Sequence, residues 1–134
     1  MRAEARSLVV CHTDLHGGNL LRDPGGRLHI LDWENAMLAP REHDLFSFAP
    51  DTRFENIFWP RYVKEAGSVR LDTGALRFYA YRRLLEDISE WLQQLLYNPQ
   101  SAEYEGRALY YAAESVAQLA RVEEQLLSCL SPPK

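Results

Sequence analysis

Cys11-His12-Thr13-Asp14-Leu15-His16-Gly17-Gly18-Asn19-Leu20-Leu21 is answered, after a short turn, by Leu28-His29-Ile30-Leu31-Asp32-Trp33. The two stretches set an aspartate, an asparagine and a second aspartate at the ends of short apolar strands. Oxygen donors of this kind suit magnesium, which keeps several waters and needs few protein ligands. A carboxylate beside them can orient an attacking hydroxyl, which is most of what phosphoryl transfer asks of a protein. Asp14 sits in the loop with a free carboxylate and is the candidate base. Asn19 follows five positions later and Asp32 ends the next strand; both can reach one cation. Asp14 works by position more than by basicity, because the hydroxyl loses its proton late in a loose transition state.

The flanking sequence supplies the frame. Leu8-Val9-Val10-Cys11 is continuous and β-branched, and reads as a short buried strand. Gly17-Gly18 keeps residues 12–19 a loop. Asp23-Pro24-Gly25-Gly26 offers a turn between Leu20-Leu21-Arg22 and Leu28-His29-Ile30, so a hairpin is expected, with Leu21, Leu28 and Ile30 alternating along a half-buried ladder. Asp32 to Asn35 leaves it as a loop. A short helix follows over 41–48.

From Phe54 onward the periodicity is helical. A helix over 54–66 carries Ile57, Phe58, Tyr62 and Val63 on one side, is interrupted by Pro60 and is capped by Gly67. Asp72 and Thr73 cap a long helix through Tyr97. Asn98-Pro99 breaks the pattern, and one last helix opens at Ser101 with a stripe running from Ala108 to Leu126. The two long helices should pack antiparallel through their stripes. The expected fold class is mainly α with a small β-hairpin (α+β), in a single domain over 1–134. Its parts are a catalytic-loop, hairpin and metal segment over 8–45 and a helical subdomain over 54–130.

Composition narrows the partners. With 46% hydrophobic and 25% charged residues in 134, the chain has the make-up of an ordinary globular domain. Its net charge of −4 disfavours nucleic acid, which needs a basic face. Two cysteines give neither a disulfide framework nor a zinc spacing, and a reduced, cytoplasmic setting is the default. The charged start is no signal peptide, and no run approaches the roughly 20 apolar residues that span a bilayer. No membrane partner is expected.

The spacing Asp-x4-Asn, then a strand and an aspartate, matches the catalytic loop and metal-binding aspartate of protein kinases. His-Thr-Asp and Asp-Trp-Glu replace the kinase triplets. With His16 and the later Ala39-Pro40-Arg41-Glu42-His43-Asp44-Leu45, they resemble the aminoglycoside phosphotransferase family. Leu38 to Glu42 and Tyr81 to Asp87 are most similar to its spectinomycin phosphotransferase branch. The resemblance implies the C-terminal lobe of a protein-kinase-like fold, with ATP as phosphate donor, Mg2+ as cofactor and a small hydroxyl-bearing molecule as acceptor. It makes Asp14 the catalytic base and Asn19 and Asp32 the magnesium ligands. His12 braces the loop, and Asp44 does likewise or caps the helix near Arg41. Thr13 departs from the family's usual glycine, its side chain turned away from the metal. The family also has an N-terminal lobe with a phosphate-binding lysine. No glycine-rich strand precedes residue 8, and Lys64 and Lys134 are misplaced. The lobe is therefore expected to be absent, and the chain alone weak or inactive.

Other readings stand beside these. His12, Asp14 and His16 could form a transition-metal site of a hydrolase. The chain could instead be a non-catalytic, self-associating interaction module. Trp33 packs on the loop or stacks on a ligand. His29 and His43 are surface or hydrogen-bonded residues. Glu86, Asp87 and Glu90 face a substrate, or form a solvated helix face paired to Arg82 and Arg83 at i,i+4.

Overall fold

The computed structural model describes residues 8–51, 53–67, 69–98 and 101–129. The chain falls into two compact units, Met1–Leu76 and Arg77–Lys134, described separately.

The first unit holds two small antiparallel ladders. β1 (Leu8–Cys11) pairs with β4 (Met37–Pro40), in the register Leu8↔Pro40 to Cys11↔Met37. β2 (Leu20–Arg22) pairs with β3 (Leu28–Ile30). The hairpin forms where the Pro-Gly-Gly turn places it. Asp23 secures it: its Oδ1 accepts the Arg27 N–H at 2.8 Å, and its Oδ2 lies 3.0 Å from His29 Nε2. These hydrogen bonds, that to His29 foremost, hold the Asp23 carboxyl below its ordinary range.

Two details correct the reading from sequence. β1 is half of a two-stranded ribbon rather than a buried strand. Cys11 and Ala39 are buried on one face, while Leu8, Val10 and Leu38 stand exposed on the other. In the hairpin, Leu20 pairs with Ile30 and Leu21 with His29. Because side chains alternate across a strand, Leu20 shares the face of Leu28 and Ile30, and Leu21 lies on the opposite one.

α1 (Glu42–Leu45) is a single turn. A wide π-helical turn, Phe54–Phe58, runs into α2 (Trp59–Ala66). The expected helical run over 54–66 is present, and its change from the wide π turn to α2 falls beside Pro60, which stands in the first turn of α2. Phe54 is buried and stacks with Phe58 and Trp59. Gly67 ends α2 at φ 83°, a conformation that penalises any Cβ. α3 (Thr73–Tyr97) opens on Asp72, whose Oδ1 accepts the Ala75 N–H at 3.0 Å. The Asp72 N–H in turn donates to the buried Glu42 carboxylate at 2.8 Å, tying α1 to the start of α3. His43, expected at the surface or hydrogen-bonded, is buried here.

In the second unit, α4 (Ala102–Leu119) is capped by Ser101, whose Oγ accepts the Tyr104 N–H at 3.2 Å. The chain turns at Ala120-Arg121 and continues as α5 (Val122–Cys129), so the expected last helix is two. Ala108, Ala112, Ser115, Val122 and Leu126 are buried along the expected stripe, whereas Val116 is exposed. Trp91 of α3 stacks on Tyr111 of α4 with ring centres 5.2 Å apart. Glu123 of α5 pairs with Arg77 at 3.1 Å and accepts the Tyr81 hydroxyl at 3.2 Å. Burial, reinforced by that carboxylate, raises the Tyr81 phenol above its ordinary value.

Candidate functional site

β1 delivers the chain into residues 12–19, and Asp44 fixes how it leaves. The Asp44 carboxylate accepts the His12 N–H at Oδ2 and the Thr13 N–H at Oδ1, each at 2.7 Å. Both bonds are charge-assisted. Of the two roles open to Asp44, the loop contact is the one formed, and α1 has no side-chain cap.

His12 is 2% exposed, and both of its ring nitrogens meet backbone. Nε2 lies 2.6 Å from the Leu31 carbonyl, and Nδ1 accepts the Asp14 N–H at 3.3 Å. A carbonyl can only accept and an N–H can only donate, so the ring is the neutral Nε2–H tautomer. Its edge rests against Trp33 at 4.9 Å, and the Trp33 indole N–H donates to the Ile30 carbonyl at 2.9 Å. Trp33 thus packs on the loop.

Asp14 and Asn19 close on each other. Asn19 Nδ2 donates to the Asp14 carbonyl at 2.9 Å and reaches Asp14 Oδ2 at 3.4 Å. With its nitrogen so used, the amide keeps its oxygen as donor to a hard cation. Asp14 is not the free carboxylate expected: His16 Nε2 also lies 3.5 Å from Oδ2. His16 Nδ1 accepts the Gly18 N–H at 3.0 Å, and a Cβ at Gly18 would stand 2.8 Å from the imidazole Cε1. A side chain there would have to displace the half-exposed His16 ring from this contact.

The Leu31 N–H donates to the Asn19 carbonyl at 2.9 Å, which brings the segment carrying Asp32 alongside the loop. Asp32 adopts φ 64° and ψ 56°, leads the 3-10 turn Trp33–Asn35 and makes no capping bond to it. Its side chain is exposed. An asparagine oxygen and an aspartate carboxylate on neighbouring backbone fit an oxygen-seeking divalent ion such as magnesium.

The transition-metal reading does not survive this geometry. His12 has no ring nitrogen left for a metal. Among the described residues no three His, Cys, Asp or Glu side chains gather as a ligand set. The acidic run of α3 is the paired face: Arg82 meets Glu86 at 2.7 Å and Arg83 meets Asp87 at 3.0 Å. Burial pushes the Asp87 carboxyl above its ordinary range despite Arg83.

Reading the sequence missed the part played by Thr13. Its φ of 74° is unusual for a β-branched residue, and its hydroxyl donates to the Asn35 carbonyl at 3.1 Å, within the Asp32 segment. The glycine usual at this position in the family the chain resembles is a signal for the left-handed backbone, whereas nothing local marks the hydroxyl's bond, whose partner lies more than twenty positions away.

A model of the phosphotransferase enzyme family, APH, matches residues 1–86. The chain is 35% identical over 89 residues to an aminoglycoside 3'-phosphotransferase of Streptomyces fradiae, taking in 58% of this chain and 32% of that protein. It also superposes on the crystal structure of spectinomycin phosphotransferase APH(9)-Ia, solved in complex with ADP and spectinomycin. The TM-score is 0.66 at 29% identity, over 94% of this chain and 41% of that one. The chain thus spans less than half the length of either relative. Since the family match takes in the loop, the hairpin, Asp32 and Asp44, the chain belongs to the APH phosphotransferase enzyme family.

Proposed function

We propose that this chain is the C-terminal catalytic lobe of an ATP- and Mg2+-dependent phosphotransferase acting on a hydroxyl of a small aminoglycoside- or aminocyclitol-like molecule. The observation that carries the reading is the closure of Asp14 onto Asn19, with the Asp32 segment hydrogen-bonded to the same asparagine. Asp14 is the base that orients the acceptor hydroxyl and takes up its proton. Asn19 and Asp32 hold the cation, which when bound neutralises charge on the transferring phosphate. His12 and Asp44 keep the loop backbone in place.

The chain covers 41% of the spectinomycin phosphotransferase chain solved with ADP, and residues 8–45 contain no lysine of the kind the family resemblance implies for the phosphates. Alone, the chain therefore binds nucleotide weakly and turns over slowly or not at all. Isothermal titration with Mg-ATP, with product analysis on an aminocyclitol acceptor, tests this. Micromolar binding and turnover by the 134 residues alone refute the inactivity.

A second reading has its own support. Leu8, Val10 and Leu38 form an exposed apolar strip on the β1–β4 ribbon, 56%, 67% and 63% accessible. Such a strip suits an interaction module that self-associates or docks a further lobe. Sedimentation showing a monomer at all concentrations argues against self-association.

A further inference from the structure

Thr13 occupies the left-handed region, where a Cβ crowds the backbone and glycine sits without penalty. Strained backbone of this kind persists only where its surroundings over-determine it. Here the Thr13 N–H is held by Asp44 Oδ1 and the hydroxyl by the Asn35 carbonyl. The neighbouring His12 holds the Leu31 carbonyl and packs against Trp33. Besides the bonds to Asp44 and Asp14, the side chains of residues 12 and 13 thus reach residues 31, 33 and 35, on both sides of Asp32. Of these contacts, the one to Asn35 depends on a hydroxyl that glycine lacks.

We propose that Thr13 is a positioning residue: its hydroxyl clasps the Asn35 carbonyl and fixes the backbone carrying Asp32 against the loop carrying Asp14 and Asn19. The inference rests on the reading of Asn19 and Asp32 as cation ligands.

The test uses the whole 134-residue chain and Mn2+ alone as probe. Paramagnetic broadening of the Asn19 and Asp32 backbone amides is followed by NMR, with thermal unfolding alongside. Thr13→Ser keeps the wild-type affinity. Thr13→Val and Thr13→Gly weaken it by about tenfold, the scale seen when a group that orients a metal ligand is removed. Thr13→Gly unfolds no lower than Thr13→Val, since its left-handed strain is relieved, so loss of the site separates from loss of stability. Should Thr13→Val fail to fold, Thr13→Gly carries the test. Affinities within about twofold of wild type in the variants overturn the clasp and leave the cation reading standing. Wild-type chain without selective broadening at Asn19 and Asp32 overturns the cation reading, and this inference with it.

Discussion

Asp44 accepts the Thr13 N–H at 2.7 Å across 31 positions of sequence, and its second oxygen does the same for His12. One carboxylate thus satisfies two consecutive donors at the mouth of the loop. Removing it leaves both unpaired beside a buried imidazole. A charge-assisted hydrogen bond is worth about 1.5–3 kcal/mol, so Asp44→Ala should lower stability by about 3 kcal/mol in urea unfolding. A loss below about 1 kcal/mol would show that water replaces the carboxylate without cost.

His12 offers a sharper case, because both ring nitrogens are committed. His12→Phe keeps the ring against Trp33 and strands the Leu31 carbonyl and the Asp14 N–H. About 1–3 kcal/mol per buried unsatisfied group is expected. The Nε2–H tautomer is directly visible in long-range proton–nitrogen NMR spectra; an Nδ1–H signal at neutral pH would contradict the geometry.

Asp14 and Asp32 should fail differently. In a chimera that joins this chain to the remaining part of the spectinomycin phosphotransferase it superposes on, Asp14→Asn loses transfer by roughly three or more orders of magnitude while nucleotide affinity stays. Asp32→Asn weakens the magnesium-dependent part of nucleotide binding. Steady-state kinetics and calorimetry on the same preparations separate the two, and wild-type rates in both would end the role assignments.

Asp87 carries a pH signature of opposite sign to most carboxylates. Burial raises its pKa in the folded chain, so keeping it ionised costs stability as pH rises through that raised value. Asp87→Asn should therefore unfold at a higher temperature than wild type at neutral pH. The difference should close in acid, where folded and unfolded states both hold the proton. A lower unfolding temperature at neutral pH would mean that the Arg83 pair outweighs desolvation.

Local chemistry made much of this legible. The Pro-Gly-Gly turn fixed the hairpin, and Asp72, Gly67 and Ser101 marked helix ends by the hydrogen bonds or backbone angles they supply. Asp14 and Asn19 could be read together because five residues of loop suffice to join them. What escaped depended on distant partners. β4 is invisible without β1, since Met37–Pro40 ends in a proline and has no alternation of its own. The face of Leu21 followed from a register that only the pairing reveals. The break at Ala120-Arg121 contains neither glycine nor proline. Asp44 stood between two roles because its partners lie thirty residues upstream.

The β1–β4 ladder joins Cys11 to Met37, so Asp14, Asn19 and Asp32 all lie on a loop of chain cinched at its neck, like a drawstring purse. Fraying at the Leu8–Pro40 end would leave the purse shut, whereas parting Cys11 from Met37 would let all three groups drift at once. The stretch from β1 to β4 therefore carries both the three groups and the fastening that gathers them.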